Sequence, residues 1–429
     1  MVRRRRAYSS ALDDKKKPGE DLMTLKTLIG AASVLAMTTG FAFADAHSEG
    51  KMEAKKALMD AKAAIERAMA ALGGGTTMMG GAPYEFPDLD GKQVTVVSWG
   101  GAYTKSQVEA YHKPFIAGSG AKVVSEDYNG GLAEIKAQVE AGNVTWDIVD
   151  VELSDAVRAC DEGLAEEIDM SALPDGSDGS SAADDFIAGT LDVPCAVPTI
   201  VWSTIFAYDS EKTDSAPTTI ANFFDTEEFP GKRGMRKSPK ANLEMALMAD
   251  GVAADEVYDV LSTDEGVDRA FAMLDKIKDD VVWWEAGAQP PQLLADGEVV
   301  MTTAYNGRIF NAVAAEDKPF EIVWDGQVWD LDLWIIPKGA KNKEAAMEFL
   351  KFSTSTQALA DQASWISYGP TRKSSAPLVA SYATKSDLPM GPQMPTAPEN
   401  FGNALQNDFE FWADNQDELN ERFNAWLAN

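Results

Sequence analysis

The chain is expected to fold as an α/β protein in two lobes, each with a mostly parallel sheet flanked by helices. Strand and helix signals alternate along it, and the alternation begins again after Ile200. A composition of 45% hydrophobic and 25% charged residues over 429 positions is ordinary for globular chains and provides for two domains of roughly 100–200 residues each.

In the first unit, KQVTVVSWGGAY is a β-branched run ending in Gly-Gly, and SQVEAYHKPFIAG then has helical spacing. AKVVSEDY reads as a strand, GLAEIKAQVEAG as a helix and WDIVDVE as a strand. In the second unit IVWSTIFAYD is a strand, followed by helices ANLEMALMADG and VDRAFAMLDKIKDD and the short VVWW. PQLLADG is a helix and EVVMTTAYNG a strand. KNKEAAMEFLKFSTSTQALADQASW and the residues beyond it are mostly helical, while DGSDGSSAADD and TKSDLPMGPQMPTAPE are expected as surface connections.

Residues 1–22 are polar and highly charged, unlike the start of a domain, and are read as a non-native or misassigned start. From Met23 a lysine at Lys26, an apolar run from Leu28 and the A-x-A site Ala42-Phe43-Ala44 make 23–44 a signal peptide, with Asp45 opening the mature chain. A membrane anchor is the competing reading, but Thr38, Thr39 and Gly40 interrupt the run. No cysteine follows the cleavage site to carry a lipid, and no later segment approaches the ~20 apolar residues of a membrane helix. Residues 45–91 read as a helical extension, with Leu58, Ile65, Met69 and Leu72 at helical spacings, and a Gly-rich linker. A solvated tail is the expectation there, with partner binding as the alternative.

Lys and Arg number 38 against 68 Asp and Glu, a formal charge of −30 that repels phosphate backbones and anionic lipid headgroups. Nucleic acid is a poor partner and small cations are better placed. In an exported chain the two cysteines, Cys160 and Cys195, are expected to pair, the alternative being two buried thiols. Without nearby histidines they do not make a zinc site. The two histidines are His47 in the tail and His112, expected on a solvated helix face. No GxSxG, HExxH, P-loop or GxGxxG motif is present, so no catalytic set, metal or cofactor is expected. A secreted hydrolase using two carboxylates is the enzyme alternative, although no spacing selects a pair.

Tryptophan and tyrosine recur where strands run into loops: Trp99, Tyr103, Trp202, Trp283, Trp284, Tyr305 and Trp329. Ligands of open α/β sheets bind outside the carboxyl ends of strands. Aromatic faces there attract cations and cage quaternary ammonium groups. Any one of these rings could equally be a core anchor, but the set favours a ligand box. Of the adjacent tryptophans, Trp284 is expected to face the solute and Trp283 the core.

From about Lys92 to Asn429 the chain resembles the spermidine/putrescine-binding periplasmic proteins of ABC importers. WGGAY, WDIVDVE, VPTIVWSTIFAYD, DGEVVMTTAYNGR, DLDLWIIPKGAKNKEAAMEFLKF and YGPTRK carry the resemblance, by their common order. It implies a type II periplasmic binding protein, two lobes joined by two crossover strands and closing on one solute. The crossovers are expected near 197–201 and 304–307, with lobe 1 at 92–198 plus 306–338 and lobe 2 at 199–305 plus 339–429. It also implies periplasmic localisation, a monomer, and an inner-membrane ABC permease as partner; presentation to a membrane sensor is the alternative.

By the same resemblance Trp99 and Tyr103 match first-loop aromatics, Tyr305 the ring before Asn-Gly, and Asp332 an acid that receives an amine. Ser238 and Ala241 stand where spermidine binders have carboxylates, Arg308 where putrescine binders have an acid, and Glu152 where a small hydroxyl residue is common. A polyamine needs a buried partner for each ammonium, and these departures remove partners. The expected solute is therefore a small cationic or zwitterionic molecule. An onium zwitterion such as a betaine or dimethylsulfoniopropionate is preferred, with its carboxylate on Arg308, and a polyamine is the alternative. Asp330, Asp332 and Glu152 remain as acceptors for an amine.

Overall fold

The computed structural model describes residues 84–187 and 190–428; the expected leader and most of the 45–91 extension lie outside them. The last residues of that linker belong to the folded body, because Tyr84 and Phe86 stack on Phe352 at 5.3 and 4.8 Å.

The first parallel group comprises β1 (Gln93–Ser98), β2 (Lys122–Asp127) and β3 (Ile148–Glu152), with β1 between the other two. Its helices are α1 (Gly101–Gln107), continued through a π turn into α2 (Lys113–Ser119), then α3 (Ala133–Glu140) and α4 (Leu153–Asp161). His112 departs from expectation: it is buried against the ring of Phe349 at 5.6 Å, and burial pushes its pKa down to about 4. The helix is covered on the side that the sequence pattern left to water.

The two crossover strands are β4 (Ala196–Asp209) and β8 (Phe320–Ile335), paired antiparallel over most of their length. The near-continuous apolar run of β4 fits burial at all 14 of its positions. At one end β8 adjoins β3, placing Glu152 opposite Asp332. At the other end β4 adjoins β7 (Met301–Tyr305), which leads to β5 (Arg233–Arg236) and β6 (Val281–Trp284), all three parallel. This second group carries α5 (Asn242–Ala249), α6 (Asp264–Asp275), α7 (Gln289–Asp296) and α8 (Asn306–Glu316). The fold is two-lobed, as expected from the alternation.

The second crossover lies inside β8 rather than near 304–307, where β7 gives way to α8. Ile309 and Ala312 of α8 pack with Leu294 and Ala304 of the second lobe. Conversely, α9 (Lys343–Ser353) and α10 (Thr356–Trp365) belong to the first lobe, since Ala346, Phe349 and Leu350 fill the core beside Val94, Val96 and Phe115. Past β9 (Gly369–Pro370) come the hairpin β10 (Ser381–Tyr382) and β11 (Lys385–Pro389), then β12 (Ala404–Gln406) alongside β8. TKSDLPMGPQMPTAPE is not purely a surface connection, because Met390 and Met394 are buried with Phe310. The final α11 (Phe409–Ala428) returns to the second lobe through Trp412, Leu419 and Phe423. Among the described residues no helix is long and apolar enough to cross a membrane.

Cys160 and Cys195 form a disulfide with Cα atoms 5.9 Å apart and a sequence separation of 35. Closing a loop of that length restricts the unfolded chain by about 3–4 kcal/mol in the chain-entropy account. Replacing both cysteines with alanine is expected to lower stability by up to that amount, read from urea denaturation as a lower midpoint, with a larger m-value because the unfolded chain is no longer cross-linked.

Candidate functional site

The loop after β1 runs Trp99-Gly100-Gly101 into α1, and Gly101 has φ +59°, in the left-handed region that glycine reaches without strain. A Cβ there would stand 3.0 Å from Nη1 of Arg308, so the absence of a side chain admits the guanidinium. Arg308 projects from the first turns of α8 and donates to the carbonyls of Gly100 and, at 3.1 Å, Trp99. It also lies over the Tyr103 ring, 5.8 Å from its centroid. These contacts join a second-lobe helix to a first-lobe loop.

Asn306, at the head of α8, accepts from the Ser203 amide at 3.0 Å and donates to the Ser367 carbonyl at 2.6 Å. It thereby holds together Tyr305, which precedes Asn306, and Tyr368, which follows Ser367. A Cβ on Gly307 would sit 2.6 Å from the Tyr368 ring, which explains the small residue of the Asn-Gly pair.

The resulting box is lined by Trp99, Tyr103, Trp202, Tyr305 and Tyr368 together with Glu152, Arg308 and Asp332. Tyr103 meets Tyr368 edge-on at 5.2 Å, and Trp202 meets Tyr305 at 5.0 Å, the edge-to-face geometry that aromatic quadrupoles favour. Its volume is about 20 Å³, close to the need of a single water, so a larger solute requires the lobes to part or a wall residue to move. A larger cleft of about 330 Å³ adjoins it through Trp99 and Glu152, with Arg236, Ser238, Lys240 and Trp412 on its walls.

Four carboxyl groups converge here from β3 and β8: Asp150, Glu152, Asp330 and Asp332, all buried. Period-two spacing puts each pair on one face of its strand. Asp332 accepts from the Trp202 indole at 2.7 Å, and burial, reinforced by the charges of Asp150, Glu152 and Asp330, pushes its pKa well above the carboxylate range. Burial raises Asp150 to about 7 despite donors from Gln107 at 2.6 Å and Ser98 at 3.1 Å. It raises Asp330 to about 8. Glu152 goes the other way: burial would raise it, but Lys240 at 2.8 Å and Arg236 at 3.3 Å more than offset this and hold it at about 2.

Of the ten residues expected from sequence, the structure brings seven into the box: Trp99, Tyr103, Glu152, Trp202, Tyr305, Arg308 and Asp332. Ser238 lies in the adjoining cleft. Trp284 does not line the box; it is buried behind Tyr305, 5.6 Å away and edge-on. Trp283 points to the opposite face of β6, against Phe423 and Trp426. Trp329 is also elsewhere, 5.9 Å from Phe401, because alternation turns it away from Asp330 and Asp332. Tyr368, Arg236, Lys240 and Asp150 were not anticipated. Asp150 was readable as the same-face neighbour of Glu152, and Tyr368 as the ring of YGPTRK, whereas nothing local marks Arg236 or Lys240.

The family profile described as bacterial extracellular solute-binding protein matches residues 110–396. The gamma-aminobutyric acid-binding protein of Pseudomonas aeruginosa is 45% identical over 337 residues, covering 79% of this chain and 91% of that one. The spermidine/putrescine-binding periplasmic protein of Salmonella typhimurium is 27% identical over 206 residues, covering 47% of this chain and 56% of that one. Among solved structures, the Atu4243 GABA receptor superposes with a TM-score of 0.66 at 33% identity, over 79% of this chain and 98% of that one. A two-lobed fold with a ring-lined box between its crossover strands, matched by a profile over most of the folded body, makes this chain a member of the bacterial extracellular solute-binding proteins, non-enzymatic receptors of ABC transporters.

Proposed function

We propose that this protein is a monomeric periplasmic receptor that captures a short ω-amino acid of the 4-aminobutyrate kind and presents it to an inner-membrane ABC permease. The observation that carries the reading is a buried carboxyl, Asp332, facing the same ring-lined cavity as a guanidinium, Arg308. The ammonium end of such a solute can donate to Asp332 while the rings face its charge. Its carboxylate suits Arg308, whose Nε has no partner. The P. aeruginosa relative and the Atu4243 receptor, both described as binding 4-aminobutyrate, support the same class.

An onium zwitterion is the second reading, favoured by the five rings. A methylated cation offers no strong donor to Asp332, and on that ground the primary amine is preferred. Calorimetric titration with 4-aminobutyrate, putrescine, glycine betaine and dimethylsulfoniopropionate separates them. Binding of the methylated compounds without any response to 4-aminobutyrate would sink the preferred solute.

Binding should also depend on pH in a defined direction. Burial and the neighbouring acids favour the protonated form of Asp332 without solute, and an adjacent ammonium favours its carboxylate form, so capture is expected to release protons. Affinity is then expected to rise with pH, by up to about tenfold per unit, until pH passes the raised pKa of Asp332. The solute amine stays charged throughout, its own pKa being roughly 10. Titration near neutral pH in two buffers of different ionisation heat checks this; proton uptake, or no exchange, contradicts it.

A further inference from the structure

Lys240 is buried at the edge of the larger cleft, immediately before Ala241, which is held at φ +66° where side-chain-bearing residues are rare. Its ammonium donates to Glu152 Oε2 at 2.8 Å and to Ser154 Oγ at 2.6 Å, and it lies 5.8 Å from the centroid of the Trp412 ring. Asp155 and Asp330 add attraction from further away. Carboxylates, a hydroxyl and an aromatic face make up the surroundings that a small organic ammonium ion requires.

We infer that this pocket is a second ammonium site, occupied by the chain's own Lys240, and that its occupation restricts solutes to those with a single cationic end. Glu152 borders both cavities and stands opposite Asp332 across the β3–β8 pair, so the two ammonium positions are a few methylene groups apart. With Glu152, the acid that borders both cavities, already bonded to Lys240 and Arg236, the second ammonium of a short α,ω-diamine meets two cations at that position. The arrangement converts a cleft rich in acids into one that rejects diamines. The inference rests on Asp332 being the primary amine acceptor only for its statement about solute choice; the lysine-filled site stands separately.

The test removes the tethered ammonium. Wild-type protein should bind 4-aminobutyrate and give no heat with putrescine, whereas Lys240→Ala should bind putrescine at least about tenfold more tightly than wild type does. Methylammonium, too short to span both sites, should raise the melting temperature of Lys240→Ala by more than that of wild type. In the double variant Glu152→Gln/Lys240→Ala, which lacks the acceptor carboxylate, both amine responses should fall back to the wild-type level. Putrescine binding to wild type as tight as to Lys240→Ala overturns the inference. So does a Lys240→Ala protein that neither amine binds or restores to the folded state, or a double variant that retains the responses. Failure of 4-aminobutyrate to bind wild type would instead remove the solute reading and leave the methylammonium result to decide this site.

Discussion

Asp332→Asn is expected to weaken 4-aminobutyrate binding by about 2–5 kcal/mol, the usual cost of truncating one partner of a buried charge pair. That is a loss of roughly 30- to 5,000-fold in affinity. The solute-free protein should scarcely notice, because burial already disfavours the charged form of Asp332 and asparagine still offers an oxygen to the Trp202 indole. The part of the pH dependence that comes from Asp332 should vanish with the affinity, since that carboxyl no longer releases a proton. Titration at two pH values, alongside a melting curve, separates the two effects. Unchanged affinity with normal stability would show that the amine is received elsewhere.

The largest stability effect is expected at Arg372, in YGPTRK. Its guanidinium is wholly buried and donates to Asp185 at 2.9 Å, to the Thr354 carbonyl at 2.6 Å and to the Pro174 carbonyl at 2.7 Å. It also stacks 4.2 Å from the centroid of Phe186. One side chain thus ties three separate segments, and removing it leaves the Asp185 carboxylate buried with only the Ser374 amide and hydroxyl, both at 2.7 Å. Arg372→Leu should cost about 3–5 kcal/mol, the range for breaking a buried ion pair from one side. Lysine cannot reproduce the planar fork and should rescue little. Urea denaturation provides the measurement. Because leaving one charge unpaired is the main penalty, Arg372→Leu/Asp185→Leu should lose less than the two single changes summed. A single variant within 1 kcal/mol of wild type would mean that the ion pair is dispensable.

The occupied ammonium site bears on how the acidic composition was first read. Substituting acids of the polyamine-binding pattern by Ser238, Ala241 and Arg308 pointed to lost partners for a second amine. In the structure the cleft is still rich in carboxyl groups, but Glu152 is held by Lys240 and Arg236, while Asp330 and Asp332 are pushed towards the neutral form. On the inference drawn above, selectivity against a second ammonium comes from how the acids are partnered, which counting acids does not disclose.

The sequence by itself determined the α/β alternation, the repeated unit after Ile200, the buried β4 strand, the aromatic residues at strand ends and the pairing of the two cysteines. Apart from the cysteine pairing, which follows from two cysteines in an exported chain, each is a local property: side-chain period, β-branching and turn residues act within a few positions and are visible wherever they occur. It also pointed to seven residues that the fold gathers, through the strand-to-loop and crossover segments WGGAY, WDIVDVE, IVWST, AYNGR and DLD and through the family resemblance they carry. Tertiary structure alone decided that α9 and α10 pack in the first lobe and that the second crossover runs through β8. It alone decided that Tyr305 stands between Trp284 and the cavity. It also set the state of each carboxyl: the same residue type is held at about 2 in Glu152 by two cations and raised to about 8 in Asp330 by burial. Those outcomes depend on which distant groups lie within a few ångströms and how much water they exclude, and Coulomb and desolvation energies follow separation in space rather than in sequence.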